Sequence, residues 1–289
     1  MVVKSRETIK VDVLKEGMVY LDGGGLFGVM PRPLWSKVCS PNRQNRIGLM
    51  INITSVRHPE GNVIINTGLG NKLYLEVEER YGRSSASKLK SELRKSGLSQ
   101  SKIDYVVLPT LDCVSAGGVT SFDTLGNLTL TYPKATHIVH RRAWEDAHNL
   151  NELSAEIYGP GIEDLDLIER KGKLRLVDDD EFEILPFVKG IAADGPKPGH
   201  FVVEIIGGSE KFMHFSSLIP TPLHLNGPCI TAQDCLPFKT LENKKRLIDK
   251  VRREGHIALF PLSSPSGREA GGYINTGNRL SPIDVWSFD

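Results

Sequence analysis

Thr110, Cys113 and Ser115 place two hydroxyls and a thiol within one short segment, with Asp112 among them and a fourth nucleophile, Ser217, much further along. Three histidines, His200, His214 and His224, offer bases at separations only a fold can close. Such hydroxyls and thiols become strong nucleophiles only when a base lies in hydrogen-bond reach and a third group orients it. Which hydroxyl or thiol could pair with which histidine is for the fold to decide. His200 has a competing structural role, hydrogen-bonding nearby loops. His214, inside the apolar run 211–215, reads as a satisfied core histidine, and Cys113, following an apolar strand, as a small packed thiol. His58, His137, His140, His148 and His256 share no spacing that marks joint ligation. Cys39, Cys113, Cys229 and Cys235 make no C-x-x-C pair and no zinc-knuckle spacing.

Apolar runs bounded by Gly, Pro and Asn predict strands over 10–20, 47–57, 62–66, 104–109, 127–132 and 136–140. Further strands are predicted over 173–177, 183–192, 201–207, 211–216 and 257–261. Helices are predicted over 86–96, 141–158 and 238–254; the last carries Leu241, Ile248 and Val251 on one face and is closed by Gly255. Runs of strands with few helices between them point to packed sheets with helices outside, an α/β sandwich, not a strictly alternating fold. Asp178-Asp179-Asp180-Glu181 reads as a solvated turn. Gly23-Gly24-Gly25 lacks the flanking residues of a phosphate loop and reads as a turn.

With 289 residues, 39% of them hydrophobic, the chain can bury about three quarters of its unfolded surface, so one domain over 1–289 is expected. The 36 basic and 35 acidic residues nearly cancel, which disfavours nucleic acid or an anionic membrane and leaves a small molecule or a protein as partner. A homo-oligomer, or pairing with an active relative, stays open. No apolar leader and no uncharged run approaching about 20 residues is present, and the cysteines suit a reducing compartment, so a cytoplasmic protein is expected.

Several motifs occur in a recognisable order. They are Asp22-Gly23-Gly24-Gly25-Leu26-Phe27-Gly28 with Pro31 and Trp35, Asn45-Arg46-Ile47, Asn66-Thr67-Gly68, Ala116-Gly117-Gly118, Trp144-Glu145-Asp146-Ala147, Pro198-Gly199-His200 and Leu218-Ile219-Pro220. From about residue 18 to about residue 275 the chain resembles the lactonase-like and organophosphate-hydrolase-like branch of the metallo-β-lactamase superfamily. The resemblance implies a four-layer αβ/βα sandwich, two packed mixed β-sheets flanked by helices, with a cleft along one edge of the sheets. In the family that cleft holds one or two metal ions, which activate water and polarise the scissile group.

The resemblance also implies where metal ligands would fall. The family's Thr-His-x-His-x-Asp-His-Ala-Gly-Gly puts its ligands at Thr110, Asp112, Val114 and Ser115 of this chain. The ligand histidine of Gly-His-Thr-Pro-Gly-His falls on Pro196, the bridging aspartate on Ser217, and the last histidine, in ungapped register, on Leu262. A supporting aspartate behind the site falls on Asn66. Only Asp112 keeps a group a metal accepts, and a catalytic zinc takes about three protein ligands. The reading is a fold relative without a metal cofactor, non-hydrolytic, that binds a small molecule or protein partner. The alternative is a hydrolase of esters, lactones or phosphoesters, working through Ser115 or Ser217 with His200, or through a metal held by other residues.

Overall fold

Lys10–Asp22 and Arg46–Arg57 carry long apolar alternations and pair antiparallel along their whole length. The computed structural model describes residues 9–72, 75–83, 85–152, 161–265, 269–274, 277–282 and 287–288. In it these two strands lead a mixed sheet that continues through Asn62–Ile65, Ile103–Val107, Thr136–His140 and Leu174–Val177. The short strand Leu262–Ser263 hooks onto Arg46–Arg57 at Ile51 and Met50. A second sheet runs in the order Leu280–Pro282, Gly271–Ile274, Ile257–Leu259, Glu210–His214, Phe201–Gly207, Val188–Ala192 and Glu181–Leu185.

Three apolar cores account for the layering. Val56, Ile65 and Val107 of the first sheet meet Val203, Phe212 and Leu259 of the second in the middle core. Outside the first sheet, Ile51, Ile53 and Val106 pack with Leu93, Trp144 and Ile168 of helices. Outside the second, Val202, Met213 and Ala258 pack with Leu247, Ile248 and Val251 of the helix Pro237–Glu254. Strands buried on both faces need a layer of helices on each side, which is the four-layer αβ/βα sandwich. Pro237 starts that helix, and left-handed Gly255 ends it by donating its N–H to Val251 O.

Some expected elements are redrawn. The run 183–192 is two strands, because Pro186 has no N–H for the ladder and Phe187 takes φ 67°, turning the chain into a hairpin. The helix expected over 86–96 is confined to Leu89–Lys95, and that over 141–158 to Arg141–His148; residues 153–158 of the latter lie outside the described residues. Gly23-Gly24-Gly25 opens a short helix, Gly23–Phe27, because Asp22 caps it by accepting the Gly25 N–H at 2.8 Å. The acidic run is a turn, where exposed Asp178 and Asp180 meet Arg141 and Arg142. Among the described residues no helix is long and apolar enough to cross a membrane.

Candidate functional site

The buried strand Ile103–Val107 delivers Thr110 and Asp112 to the edge of the sandwich. Asp112 caps the short helix Cys113–Ala116, its Oδ1 accepting the Ser115 N–H at 2.9 Å. That capping contact fixes the carboxylate in place. Behind it, Gly117 and Gly118 pack on the turn at Asn66–Gly70: a Cβ on Gly118 would stand 2.4 Å from Thr67 O. The Ala-Gly-Gly motif therefore has a packing duty that is independent of chemistry.

Val188–Ala192, Glu210–His214 and Ile257–Leu259 run in the same sense, so their C-terminal ends reach one edge. The segments that follow carry Pro196, Ser217 and Leu262. Asp112, Val114, Ser115, Pro196, Ser217 and Leu262 all line one cavity of about 180 Å³. Thr110 is fully buried and does not line it, yet its hydroxyl donates to Asp112 Oδ2 at 3.3 Å. Ser217 Oγ donates to the same oxygen at 3.3 Å and Ser115 Oγ at 3.4 Å. Three hydroxyls from positions where the resemblance leads one to expect metal ligands thus converge on the one carboxylate among those positions.

The remaining wall is apolar at Leu21, Leu26, Pro220 and Pro261, with exposed Asp22, Arg80 and Gln233 contributing polar groups. Lys197 is buried, and its ammonium is spent on Gln233 O at 2.7 Å and Cys235 Sγ at 3.6 Å. Asp234 accepts the Thr231 hydroxyl at 2.5 Å, and burial pushes its carboxyl above the usual range. Sequence reasoning did not single out Arg80, Tyr81, Thr231 or Asp234. Arg80 and Tyr81 sit in the helix Leu75–Tyr81, which has no motif to flag it.

The donors on the cavity do not fit a metal pair. Asp22 is committed to Gly25 and to Asn45 Nδ2, Asp234 to Thr231, and Asp112 alone remains of the ligand positions. Among the described residues, the cluster with three ligating groups within 4.8 Å of one another is Glu204, Glu254 and His256. None of those lines the cavity, and Lys189 and Lys250 already compensate Glu204 at 3.1 and 3.0 Å.

The histidines do not supply a base there. His200 is fully buried, and Nδ1 lies 3.1 Å from Ala193 O, closing the loop that returns Ala193 N to His200 O. It makes no hydrogen bond with Ser115 or Ser217, whose hydroxyls point to Asp112. Burial pushes its imidazole down to about 3. His214 is a core residue as expected but not a satisfied one, since neither ring nitrogen finds a partner in its apolar surroundings; burial pushes it to about 3. His224 is a structural clip, bonding Thr221 Oγ1 and Leu26 O at 2.8 Å each and stacking on Phe27. Cys113 is buried as a packed thiol, and burial together with the charge of Asp112 pushes it up to about 12, away from thiolate chemistry.

No protein-family model and no curated protein matches the sequence. Solved structures do match. A probable metal-dependent hydrolase from Staphylococcus aureus shares 26% identity at TM-score 0.84, over 96% of both chains. AbOPH, a hydrolase of the β-lactamase superfamily, shares 17% at TM-score 0.75, over 96% of this chain and 95% of its own. AidC, a dizinc quorum-quenching lactonase, shares 18% at TM-score 0.69 over the same fractions. With two packed sheets, helices on both outer faces and these neighbours, the chain has the metallo-β-lactamase-like fold.

Proposed function

We propose that this chain is a metal-free relative of the hydrolases it resembles, and that its edge cavity binds a small molecule without hydrolysing it. The observation that carries this reading is the closure of Thr110, Ser115 and Ser217 onto Asp112 Oδ2. Hydroxyls rotate to satisfy a carboxylate without a cation, so the cluster is complete as it stands. Hydrolysis in metal sites of this kind draws on an ion that lowers the pKa of bound water toward about 7. Val114, Pro196 and Leu262 present apolar surface at three further ligand positions, which suits an organic ligand better than water and ions.

A small molecule is favoured over a protein because the recess holds only about 180 Å³, whereas stable protein partners need about 800 Å² of surface on each side. Nucleic acid and membrane partners are not proposed, given the balanced charge. Four cysteines without a C-x-x-C pair or a disulfide framework in the sequence support a cytoplasmic home.

A second reading, hydrolase activity, is favoured by the 26% identical probable metal-dependent hydrolase and by Ser115 and Ser217 standing on the cavity. Metal content by inductively coupled plasma spectrometry, together with ester, lactone and phosphoester assays on wild type and on Ser115→Ala/Ser217→Ala, separates the two. The metal-free reading expects trace metal and background rates in both proteins. Near-stoichiometric zinc, iron or manganese, or turnover that the double variant loses, would establish the hydrolase instead.

A further inference from the structure

We propose that the cavity selects a small organic cation, an ammonium or amidinium on a compact apolar body, with Asp112 as its counter-charge. This deepens the metal-free reading and rests on it. Asp112 Oδ2 accepts three hydroxyls at 3.3–3.4 Å, longer than the roughly 2.5–3.0 Å of a well-made O–H···O bond. The oxygen is surrounded but loosely held, and a stronger donor entering the cavity can take its place among them. An ammonium carries three protons. Asp112 Oδ2 accepts one, and Ser115 Oγ and Ser217 Oγ, turned by rotation about Cβ–Oγ, accept the others.

Among the described residues no ion pair reaches Asp112, and Lys197 gives its ammonium to Gln233 O and Cys235 Sγ. Arg80 stands exposed beside Tyr81 and Cys113, on both of which its charge acts. An anionic or purely accepting group, such as a carboxylate or an ester carbonyl, would set its lone pairs against those of Asp112. The ligand's face toward Asp112 must therefore donate, and charge-assisted donors bind roughly twice as strongly as neutral ones. Its body meets Leu21, Leu26, Val114, Pro220 and Leu262. An apolar cavity of about 150 Å³ accepts benzene, so the space of about 180 Å³ here takes a single ring or a short branched chain.

Titration calorimetry on the full chain, dialysed against chelator, tests the assignment with three probes of matched shape: benzylamine, benzyl alcohol and benzoate. Wild type is expected to bind benzylamine about tenfold or more tighter than either of the others, and Asp112→Asn to lose that preference. Leu262→Trp, which fills the cavity while keeping Asp112, is expected to lose all binding, and circular dichroism on both variants establishes that they fold. Equal affinity for benzylamine and benzyl alcohol would overturn the cation assignment, as would tighter binding of benzoate, which would make Arg80 the recognising group. Absence of benzylamine binding at about 10 mM would overturn it too. Each of these results leaves the metal-free reading intact. Stoichiometric metal in undialysed protein removes that reading whatever the probes do.

Discussion

Asp164 and Asp112 both act on the buried Cys113 thiol, yet the chain surrounds them on opposite terms. Asp164 is sealed, with the Lys72 ammonium against one oxygen and the Thr120 hydroxyl 2.6 Å from the other. Asp112 is half-buried at the cavity, and its side chain receives hydroxyls and one backbone N–H. The pattern recurs elsewhere. Glu204 meets two lysines and His256, and buried Lys244 gives its ammonium to the carbonyls of Asn226, Gly227 and Cys229 at 2.8, 3.1 and 2.6 Å. These buried charges meet counter-charges or a full set of carbonyls, whereas the charge at the cavity has three rotatable hydroxyls and one backbone N–H. That difference ties the sealed groups to stability and leaves Asp112 as the group on which the proposed recognition rests.

The largest effect that can break this contrast is acidification. His137, His200, His214 and His224 are fully buried, and burial pushes them to about 4, 3, 3 and 4. Each folded value lies below the unfolded value of about 6.5, so the unfolded chain binds the extra protons and stability falls as pH drops below that value. Between pH 7 and pH 5 each histidine costs about 2 kcal/mol, and four together approach the whole of a typical stability of about 5–15 kcal/mol. Glu16 and Asp234, whose carboxyls burial raises, return part of this, since protonation favours their folded state. Urea midpoints followed by circular dichroism are expected to fall steeply from pH 7 to pH 5. A flat profile would mean that these imidazoles are not sealed.

Lys72→Met is next. It strands Asp164, a carboxylate 3% exposed, without its cation, and breaking a buried pair by removing one partner costs about 3–5 kcal/mol. The double variant Lys72→Met/Asp164→Leu is expected to recover most of that loss, since a packed apolar pair replaces an ionic one at little net cost. Equilibrium denaturation of the single and double variants measures both. Lys244→Met follows, at about 2–3 kcal/mol, for three carbonyls left without their shared donor. Because those carbonyls belong to the segment that continues into Thr231, Gln233 and Asp234 of the cavity wall, weaker ligand binding should accompany the lost stability.

The strands and one side of the cavity were legible in the chain, while the sealed groups Asp164, Lys72, Glu204 and Lys244 were not. Apolar runs between Gly, Pro and Asn fixed most strands, and Ala116-Gly117-Gly118 set the register that marked Thr110, Asp112, Val114 and Ser115 as one group. Their meeting with Ser217 could only be inferred from the resemblance, since that hydrogen bond spans 105 residues of sequence. Burial was the harder quantity to read. The motif position of His200 suggested a place on the cleft, whereas the left-handed turn at Gly199 packs against Ala143 and carries the ring inside. Arg80 and Tyr81 were invisible because they reach the cavity from a helix without a motif, placed by tertiary packing alone.

The smallest expected effect sharpens the comparison most. Asp112→Asn removes the charge and keeps the shape. The side-chain carbonyl can still accept the Ser115 N–H that Asp112 accepts at 2.9 Å. The new amide offers two N–H donors where Oδ2 accepted, so two of the hydroxyls of Thr110, Ser115 and Ser217 turn from donors to acceptors. With at most one hydroxyl losing its partner, stability should change by about 1 kcal/mol, a shift in melting temperature of about 2–4 °C. Lys72→Met, equally a change at one ionic group, is expected to cost several times more. If thermal scans showed the two variants equally damaging, Asp112 would be one more charge holding the fold together, and its exposure on the cavity would no longer mark a ligand's place.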